Sequence, residues 1–182
     1  CKFKSSIIGP GAPIMIPKVS NQVDYEAELA VIIGKRGKHI PEEQAMEYVT
    51  GYTCFNDVSA RDLQFRGGQW IKGKALDTFE PLGPYIVTKD EVSDPHKLKI
   101  GLELNGRMMQ DSSMDKLIFN IPRLIAFLSQ LFTLEAGDVI ATGTPSGVGF
   151  TRQPPVFLKP GDVVKVIIEQ VGELVNPVVA ES

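Results

Sequence analysis

Cysteine and histidine are scarce in this 182-residue sequence, which contains two of each. Cys1 and Cys54 cannot form the set of disulfides that stabilises small secreted domains, so we expect a reducing compartment. His39 and His96, without paired cysteines, cannot supply the ligands of a typical zinc site. The scarcity therefore argues against a secreted disulfide scaffold and against a zinc protein.

The sequence also lacks an excess of positive charge, a long apolar run and a targeting segment. Its formal net charge of −3 offers no basic surface for nucleic acid. No stretch approaches the roughly 20 apolar residues of a membrane span. We expect neither nucleic-acid nor membrane partners, and a cytoplasmic location, or a mitochondrial one in a eukaryote. Because the chain opens at Cys1 without a methionine, we expect it to be the interior of a longer protein.

The composition that remains is typical of a globular protein, and its length fits one domain over residues 1–182. Strands are predicted at about 28–33, 84–88, 100–105, 138–142, 163–169 and 174–179. One helix is predicted to open at Pro41, and another to run from Ile121 to about Phe132 with one apolar stripe. Strands outnumber helices and do not alternate with them. We therefore predict a predominantly β fold with a few helices (α+β), a mixed-sheet roll or sandwich.

Two acids, Glu26 and Glu28, lie in the segment Val23–Ile33, which apart from them and Asp24 near its start is largely apolar. Side chains alternate along a strand, so the two glutamates point the same way, about 7 Å apart. The remainder of both faces is apolar, which is typical of a strand buried on both sides. Partly buried carboxylates repel each other, and a bound cation would offset that repulsion. The alternative is an exposed strand end whose glutamates pair with lysines.

Asp57 adds a third carboxylate directly after the apolar stretch Tyr52–Phe55, which predicts another strand. Three carboxylates from two strands would form an all-oxygen site suited to Mg²⁺, Mn²⁺ or Ca²⁺. Without the two glutamates, Asp57 would be an ordinary turn residue. We expect Asp24 to lie further out than Glu26 and to face solvent.

Two glycine-containing segments could bind a ligand. Gly68–Ala75 matches the phosphate-loop pattern up to Ala75, which replaces the required serine or threonine, so we predict no nucleotide binding there. Lys74 remains of interest as a cation near the acids, with a solvated loop lysine as the alternative. In Ala141–Gly149, backbone amides or the Thr144 hydroxyl could approach a ligand, although such a segment is often only a turn.

Taken together, these segments resemble the fumarylacetoacetate hydrolase family, most closely its stand-alone domain-containing members. The matching stretches are Val23–Gly34, Asn56–Gln64, Gly73–Pro84 and Asp138–Gly149, in the family's order and spacing. The resemblance implies a β-rich roll of the C-terminal domain type, usually a homodimer, with Mg²⁺ or Mn²⁺ in a central pocket. It also implies a small 2-oxo acid as the substrate.

By position, the resemblance assigns roles to nine residues. The metal ligands would be Glu26, Glu28 and Asp57. The catalytic groups that polarise the substrate would be Lys74, Arg61 and Gln64. The substrate-binding groups would be Thr144, Gly143 and Thr78, the last of which falls where some members contact a second cation.

The chemistry that the resemblance implies is stabilisation of an enolate by a metal ion and by nearby positive charge. We expect an enzyme that hydrolyses a C–C bond of an acylpyruvate-type substrate. One alternative is an isomerase, tautomerase or decarboxylase of oxaloacetate or a 2-hydroxy-dienoate, and another is a non-catalytic module that binds 2-oxo acids.

One part of the family pattern, the general acid/base, is missing from the sequence. In the family it is normally a histidine, helped by a glutamate, on a mobile lid before the first metal ligands. No histidine occurs among the 25 residues before Glu26, and both His39 and His96 lie in predicted turns. We therefore predict that the lid lies upstream of Cys1 and that neither histidine is catalytic.

Overall fold

Two five-stranded β-sheets carry most of the structure, a computed structural model that describes residues 1–182. The strands are β1 (Ile7–Ile8), β2 (Ile14–Ile16), β3 (Val23–Asp24), β4 (Ala27–Ile33), β5 (Val49–Asn56), β6 (Ser59–Ala60), β7 (Glu80–Thr88), β8 (Lys99–Leu104), β9 (Arg107–Ser113), β10 (Val139–Ala141), β11 (Val163–Ile168) and β12 (Gly172–Ala180). The α-helices are α1 (Arg61–Gln64), α2 (Ile71–Lys74) and α3 (Ile121–Leu131). Short 3-10 helices lie at Lys4–Ser6, Glu42–Tyr48, Pro95–Lys97, Met114–Lys116 and Gly149–Thr151.

The first sheet has the strand order β1-β7-β5-β4-β10, and the second has the order β2-β12-β11-β8-β9. In the first sheet, β4 pairs antiparallel with β5 and with β10, and all seven of its residues are buried. In the second, β11 alternates, so that Val164, Val166 and Ile168 are buried. Apolar side chains of both sheets, together with those of helices and loops packed against them, form one core of 34 buried residues, as a two-layer arrangement requires.

Helix α3 closes one side of the core and packs beside the Glu42–Tyr48 helix. The Asn120 side chain accepts a hydrogen bond from Arg123 N at 2.9 Å and so caps the first turn. Ile121 and Ile125 on its apolar stripe are fully buried. With 11 residues α3 is the longest helix, and no helix has the length and apolar character needed to cross a membrane.

The predicted β-rich fold with few helices is confirmed, and the six strands predicted first, as well as the one predicted at Tyr52–Phe55, each correspond to an observed strand. The structure adds β9, which the sequence did not predict because Arg107–Ser113 is largely polar and lies at a sheet edge. The helix predicted at Pro41 is a 3-10 helix that begins at Glu42.

The segment Val23–Ile33 is not one strand, because its pairing changes at Tyr25 and Glu26. Before this point β3 pairs with β6, and after it β4 pairs with β5. Between these two pairings, side-chain oxygens accept hydrogen bonds from the backbone N–H groups. Tyr25 N donates to Asp24 Oδ1 at 2.8 Å, and Glu26 N donates to Asn56 Oδ1 at 3.0 Å. The break turns Glu26 out of a regular strand at the place where the acids meet.

Candidate metal centre

The three predicted carboxylates meet at one end of the β4–β5 pair. Glu26 lies just before β4, Glu28 lies within it, and Asp57 directly follows β5. Because Ala27 is in register with Asn56, and Asp57 N donates to Glu26 O at 2.9 Å, the two chain segments bring the acids together. One carboxylate oxygen from each lies within 4.8 Å of the others. Glu26 and Glu28 are buried, and Asp57 is half-buried.

Two of the predicted cations lie against these acids. Lys74 Nζ is 2.8 Å from Glu26 Oε2 and 2.7 Å from Asp57 Oδ2. Burial by itself would lower the pKa of Lys74, but the two carboxylates outweigh it and raise that pKa, so the ammonium stays charged. Arg61 NH1 is 2.6 Å from Glu26 Oε1 and donates to Gln64 Oε1 at 3.0 Å. Gln64 therefore does not contact the acids itself and is linked to them by its hydrogen bond with Arg61.

Lys2 is a third cation at the site, and it was not among the residues predicted from the sequence. Its Nζ lies 2.7 Å from Asp57 Oδ1 and donates to the carbonyl oxygens of Lys74 and Phe79 at 2.5 and 2.6 Å. Burial would raise the pKa of Asp57, but Lys2 and Lys74 outweigh that effect and lower it. No local pattern around Lys2 indicates this role, because the contacts come from chain segments more than 50 residues away.

Glu28 has a different environment, since its side chain accepts its hydrogen bond from the backbone N of Gly143 at 2.8 Å. Burial, followed by the negative charges of Asp57 and Glu26, raises the pKa of Glu28 to about 8. Gly143 has a φ of +102°, a conformation that glycine adopts without strain, and this lets the loop after β10 turn its amide toward the carboxylate. The loop predicted at Ala141–Gly149 thus contacts Glu28, one of the three predicted acids.

The prediction that Asp24 faces solvent is wrong, because its side chain is fully buried. Asp24 accepts hydrogen bonds from Gly149 N at 2.7 Å and Phe150 N at 3.0 Å, and Arg61 Nε donates to it at 3.0 Å. The Arg61 guanidinium also stacks 4.4 Å from the Phe150 ring centroid. A buried carboxylate needs such partners, and Asp24 uses them to join Arg61 to the end of the 141–149 loop.

The remaining candidates are placed as follows. Thr144 is half-buried, and its Oγ1 lies 2.9 Å from Gln110 Nε2. Thr78 has a φ of +69°, and its Oγ1 accepts a hydrogen bond from Met15 N at 2.8 Å. Its predicted substrate contact stays a prediction. His39 is exposed in a turn, whereas His96 Nε2 accepts from Ile121 N at 3.2 Å at the start of α3.

Lys74 is the last residue of α2, whereas the lysine of a phosphate loop precedes its helix. Gly73 in that helix packs tightly against α1, because a Cβ at this position would lie 2.5 Å from Ala60 O. This close approach carries Lys74 to the acids. A cavity of about 470 Å³ lies between the loop Thr142–Ser146 and the segment Ser112–Phe119, and Gly143, whose amide donates to Glu28, is among its lining residues.

The donor set fits a hard divalent cation. Three carboxylates with no histidine or cysteine among them are the ligands preferred by Mg²⁺, Mn²⁺ or Ca²⁺. Burial first, and then the negative charges of Asp57 and Glu26, raise the pKa of Glu28, and a bound cation would offset both effects. Glu26, Glu28 and Asp57 therefore form a candidate metal centre.

Comparison with known proteins identifies the class to which this fold and site belong. A family model described as "Fumarylacetoacetate (FAA) hydrolase C-terminal" matches residues 1–179. The chain belongs to the fumarylacetoacetate hydrolase family, which confirms the resemblance seen in the sequence. It is 56% identical over 180 residues to a protein of Xenopus laevis named oxaloacetate tautomerase fahd2, mitochondrial. That alignment covers 98% of this chain and 56% of the relative, so the chain spans little more than half of the relative's length.

Solved structures have the same fold over nearly the whole chain. A fumarylacetoacetate hydrolase from Exiguobacterium antarcticum matches with a TM-score of 0.95 and 46% identity, over 99% of this chain and 65% of that one. A 5-carboxymethyl-2-hydroxymuconate delta-isomerase from Mycobacterium smegmatis matches with a TM-score of 0.91 and 44% identity, over 100% and 68%. Proteins named for hydrolysis and for isomerisation therefore share this architecture.

Proposed function

We propose that the protein is a divalent-metal-dependent tautomerase that interconverts the keto and enol forms of oxaloacetate or a closely similar 2-oxo acid. The observation that carries the proposal is the buried cluster of Glu26, Glu28 and Asp57 with Lys74 beside it. The name of the Xenopus laevis relative supports tautomerisation, the alternative in the sequence analysis, over the C–C hydrolysis that was expected first.

Tautomerisation moves one proton and needs no attacking water. The C3–H bond breaks, its electron pair forms the C2–C3 double bond, and the oxygen on C2 gains negative charge and then a proton. Catalysis must stabilise that oxyanion more than it stabilises the ketone. Positive charge fixed beside the C2 oxygen therefore serves this reaction directly.

The chain supplies these groups around the candidate metal centre. Glu26, Glu28 and Asp57 would hold Mg²⁺ or Mn²⁺, with Ca²⁺ as the alternative, and the bound ion would supply Lewis-acid stabilisation of the enolate. Lys74, which stays protonated, would add fixed positive charge near the C2 oxygen, and Arg61, oriented by Gln64 and Asp24, would add to the positive field. The Gly143–Thr144 loop would bind the substrate.

The residue that carries the C3 proton is proposed to lie on a lid upstream of Cys1. Lys74 is held charged between two carboxylates and is a poor base, while His96 is engaged at the start of α3. The homodimer and the single-domain boundary at 1–182 likewise stay predictions. Because the Xenopus laevis relative is named as mitochondrial, we propose that compartment for a eukaryotic source.

A second candidate is hydrolysis of acylpyruvates, favoured by the likeness to the Exiguobacterium antarcticum hydrolase. Hydrolysis uses the same enolate stabilisation but also requires an activated water and cleavage of a C–C bond. Decarboxylation of oxaloacetate would likewise cleave a C–C bond and release carbon dioxide. Both differ from tautomerisation in their products.

The test uses the full-length protein with Mg²⁺. We expect faster decay of enol-oxaloacetate, followed by its ultraviolet absorbance, and faster exchange of the C3 protons for deuterium, followed by NMR, without release of pyruvate. Parallel assays with acetylpyruvate and fumarylpyruvate detect hydrolysis. Cleavage of those substrates without acceleration of the enol decay would reject the tautomerase in favour of the hydrolase.

A further inference from the structure

Gln110 is a buried polar residue that connects the two halves of the candidate site. It lies in β9 of the second sheet, its side chain is 1% exposed, and none of the sequence motifs includes it. Its Oε1 accepts a hydrogen bond from Ala27 N at 2.9 Å, between the two ligand glutamates. Its Nε2 donates to Pro145 O at 2.8 Å and to Thr144 Oγ1 at 2.9 Å. One side chain thus joins the carboxylate strand to the loop.

The backbone partners determine which way the Gln110 amide points. A backbone N–H can only donate and a carbonyl oxygen can only accept, so Ala27 must face Oε1 and Pro145 must face Nε2. A flipped amide would place like groups together at both ends. The Thr144 hydroxyl oxygen therefore accepts a hydrogen bond from Gln110 Nε2, and the hydroxyl hydrogen is left to donate to another acceptor.

We propose that Gln110 is a positioning residue that makes Thr144 a hydrogen-bond donor toward an anionic oxygen of the substrate. Thr144 is half-buried and lines a cavity together with Gly143, whose backbone amide donates to Glu28. A substrate carboxylate or enolate oxygen can only accept a hydrogen bond, so a hydroxyl with fixed polarity recognises it without reorganisation. This inference rests on the proposed function, because it assumes a 2-oxo acid in the site.

The decisive variant is Gln110→Glu, which keeps an acceptor for Ala27 N but replaces the amide donor by an anion. The Thr144 hydroxyl would then donate to the new carboxylate and present only lone pairs to the ligand. With Mg²⁺ and oxalate as the probe, calorimetry on the full-length protein should show binding weakened about tenfold or more, since a hydrogen bond to a charged group is lost. Gln130→Glu, on the exposed side of α3, is the matched control and should bind oxalate normally.

A double-mutant cycle with Thr144→Val separates positioning from general support of the fold. We expect Gln110→Glu to weaken oxalate binding about tenfold more with Thr144 present than in the Thr144→Val background, because repulsion between the new carboxylate and oxalate acts in both backgrounds. Mn²⁺ affinity without oxalate is measured for each variant, so that the effect of the new charge on the nearby metal ligands is separated from its effect on oxalate binding. Equal weakening in both backgrounds would overturn the inference and make Gln110 a structural residue.

Two further results have separate meanings. If Gln110→Glu does not fold, judged by its thermal melting, the cycle is repeated with Gln110→Met, which removes the donor without adding charge, and the same coupling with Thr144 is expected. If the wild type shows no Mg²⁺-dependent oxalate binding, the proposed function fails and this inference fails with it. Normal wild-type binding with an unaffected Gln110→Glu variant rejects the positioning role alone.

Discussion

Glu28 differs from the other two carboxylates in having no cationic side chain against it. Glu26 contacts Arg61 and Lys74, and Asp57 contacts Lys2 and Lys74, whereas Glu28 is held by a single backbone amide. Two of the three acids are thus neutralised by the chain itself. Glu28 is therefore the acid whose negative charge a divalent cation would neutralise most.

The raised pKa of Glu28 predicts how metal affinity depends on pH. With a pKa of about 8, Glu28 holds a proton at neutral pH in the metal-free protein, and a divalent ion must displace it. We expect Mn²⁺ affinity to rise with pH up to about 8 and then to level off. Calorimetry in buffers of different ionisation enthalpy measures the proton release. If the Glu28→Gln variant released as many protons on metal binding as the wild type, the displaced proton would belong to another group.

Asp24 provides a prediction about stability. Because it is fully buried and pairs with buried Arg61, Asp24→Asn leaves the guanidinium with less compensation. Arg61 keeps its contact with Glu26, so we expect a loss of about 3 kcal/mol in the free energy of unfolding, at the lower end for a broken buried pair. Urea denaturation measures it, with the exposed Asp111→Asn as the control. Equal stability of the two variants would contradict the role given to Asp24.

Secondary-structure elements position the cations as well as the acids. Helices α1 and α2 have only four residues each, yet they carry Arg61, Gln64 and Lys74. Such short helices have little stability of their own, so packing must hold them in place. The close contact at Gly73 is what keeps α2 against α1 and β6.

Gly73→Ala tests this contact between elements. The added Cβ would lie 2.5 Å from Ala60 O and 2.6 Å from Gln64 N, and these backbone atoms cannot move aside without shifting α1. We expect about 1–3 kcal/mol of destabilisation and a lower turnover number, since Lys74 is displaced. Thermal melting and the enol-decay assay measure the two effects. Gly9→Ala, where nothing lies within 4 Å, should leave both unchanged.

At the scale of the whole molecule, the site exists only in the folded state. Its ligands come from one end of the β4–β5 pair, where β4 begins and β5 ends, and the loop after β10 and strand β9 of the other sheet support it. A metal ion that needs all three carboxylates binds the native state and not the unfolded chain. Metal binding is therefore coupled to global stability.

Metal removal should accordingly lower the melting temperature. We expect Mg²⁺ to stabilise the protein by about 2.7 kcal/mol at one hundred times its dissociation constant, and a chelator to abolish the gain. Glu26→Gln and Asp57→Asn should lose most of the metal-dependent shift, whereas the exposed Asp77→Asn should keep it. Differential scanning calorimetry with and without Mg²⁺ provides the comparison. An undiminished shift in the Asp57→Asn variant would remove that residue from the ligand set.

By itself the sequence determined the β-rich class and the six main strands, because these depend on local patterns of apolar residues. It also indicated Glu26, Glu28 and Asp57 as acids at strand ends, while the β4–β5 pairing is what brings them together. It did not reveal the partners of Asp24, Lys2 and Gln110. A lone aspartate before a strand, a lysine near a terminus and a glutamine in a polar edge strand carry no local signal. Their roles depend on contacts between residues distant in the chain, such as Gln110 with Ala27 and Lys2 with Asp57, which only the packing of the two sheets brings within hydrogen-bond distance.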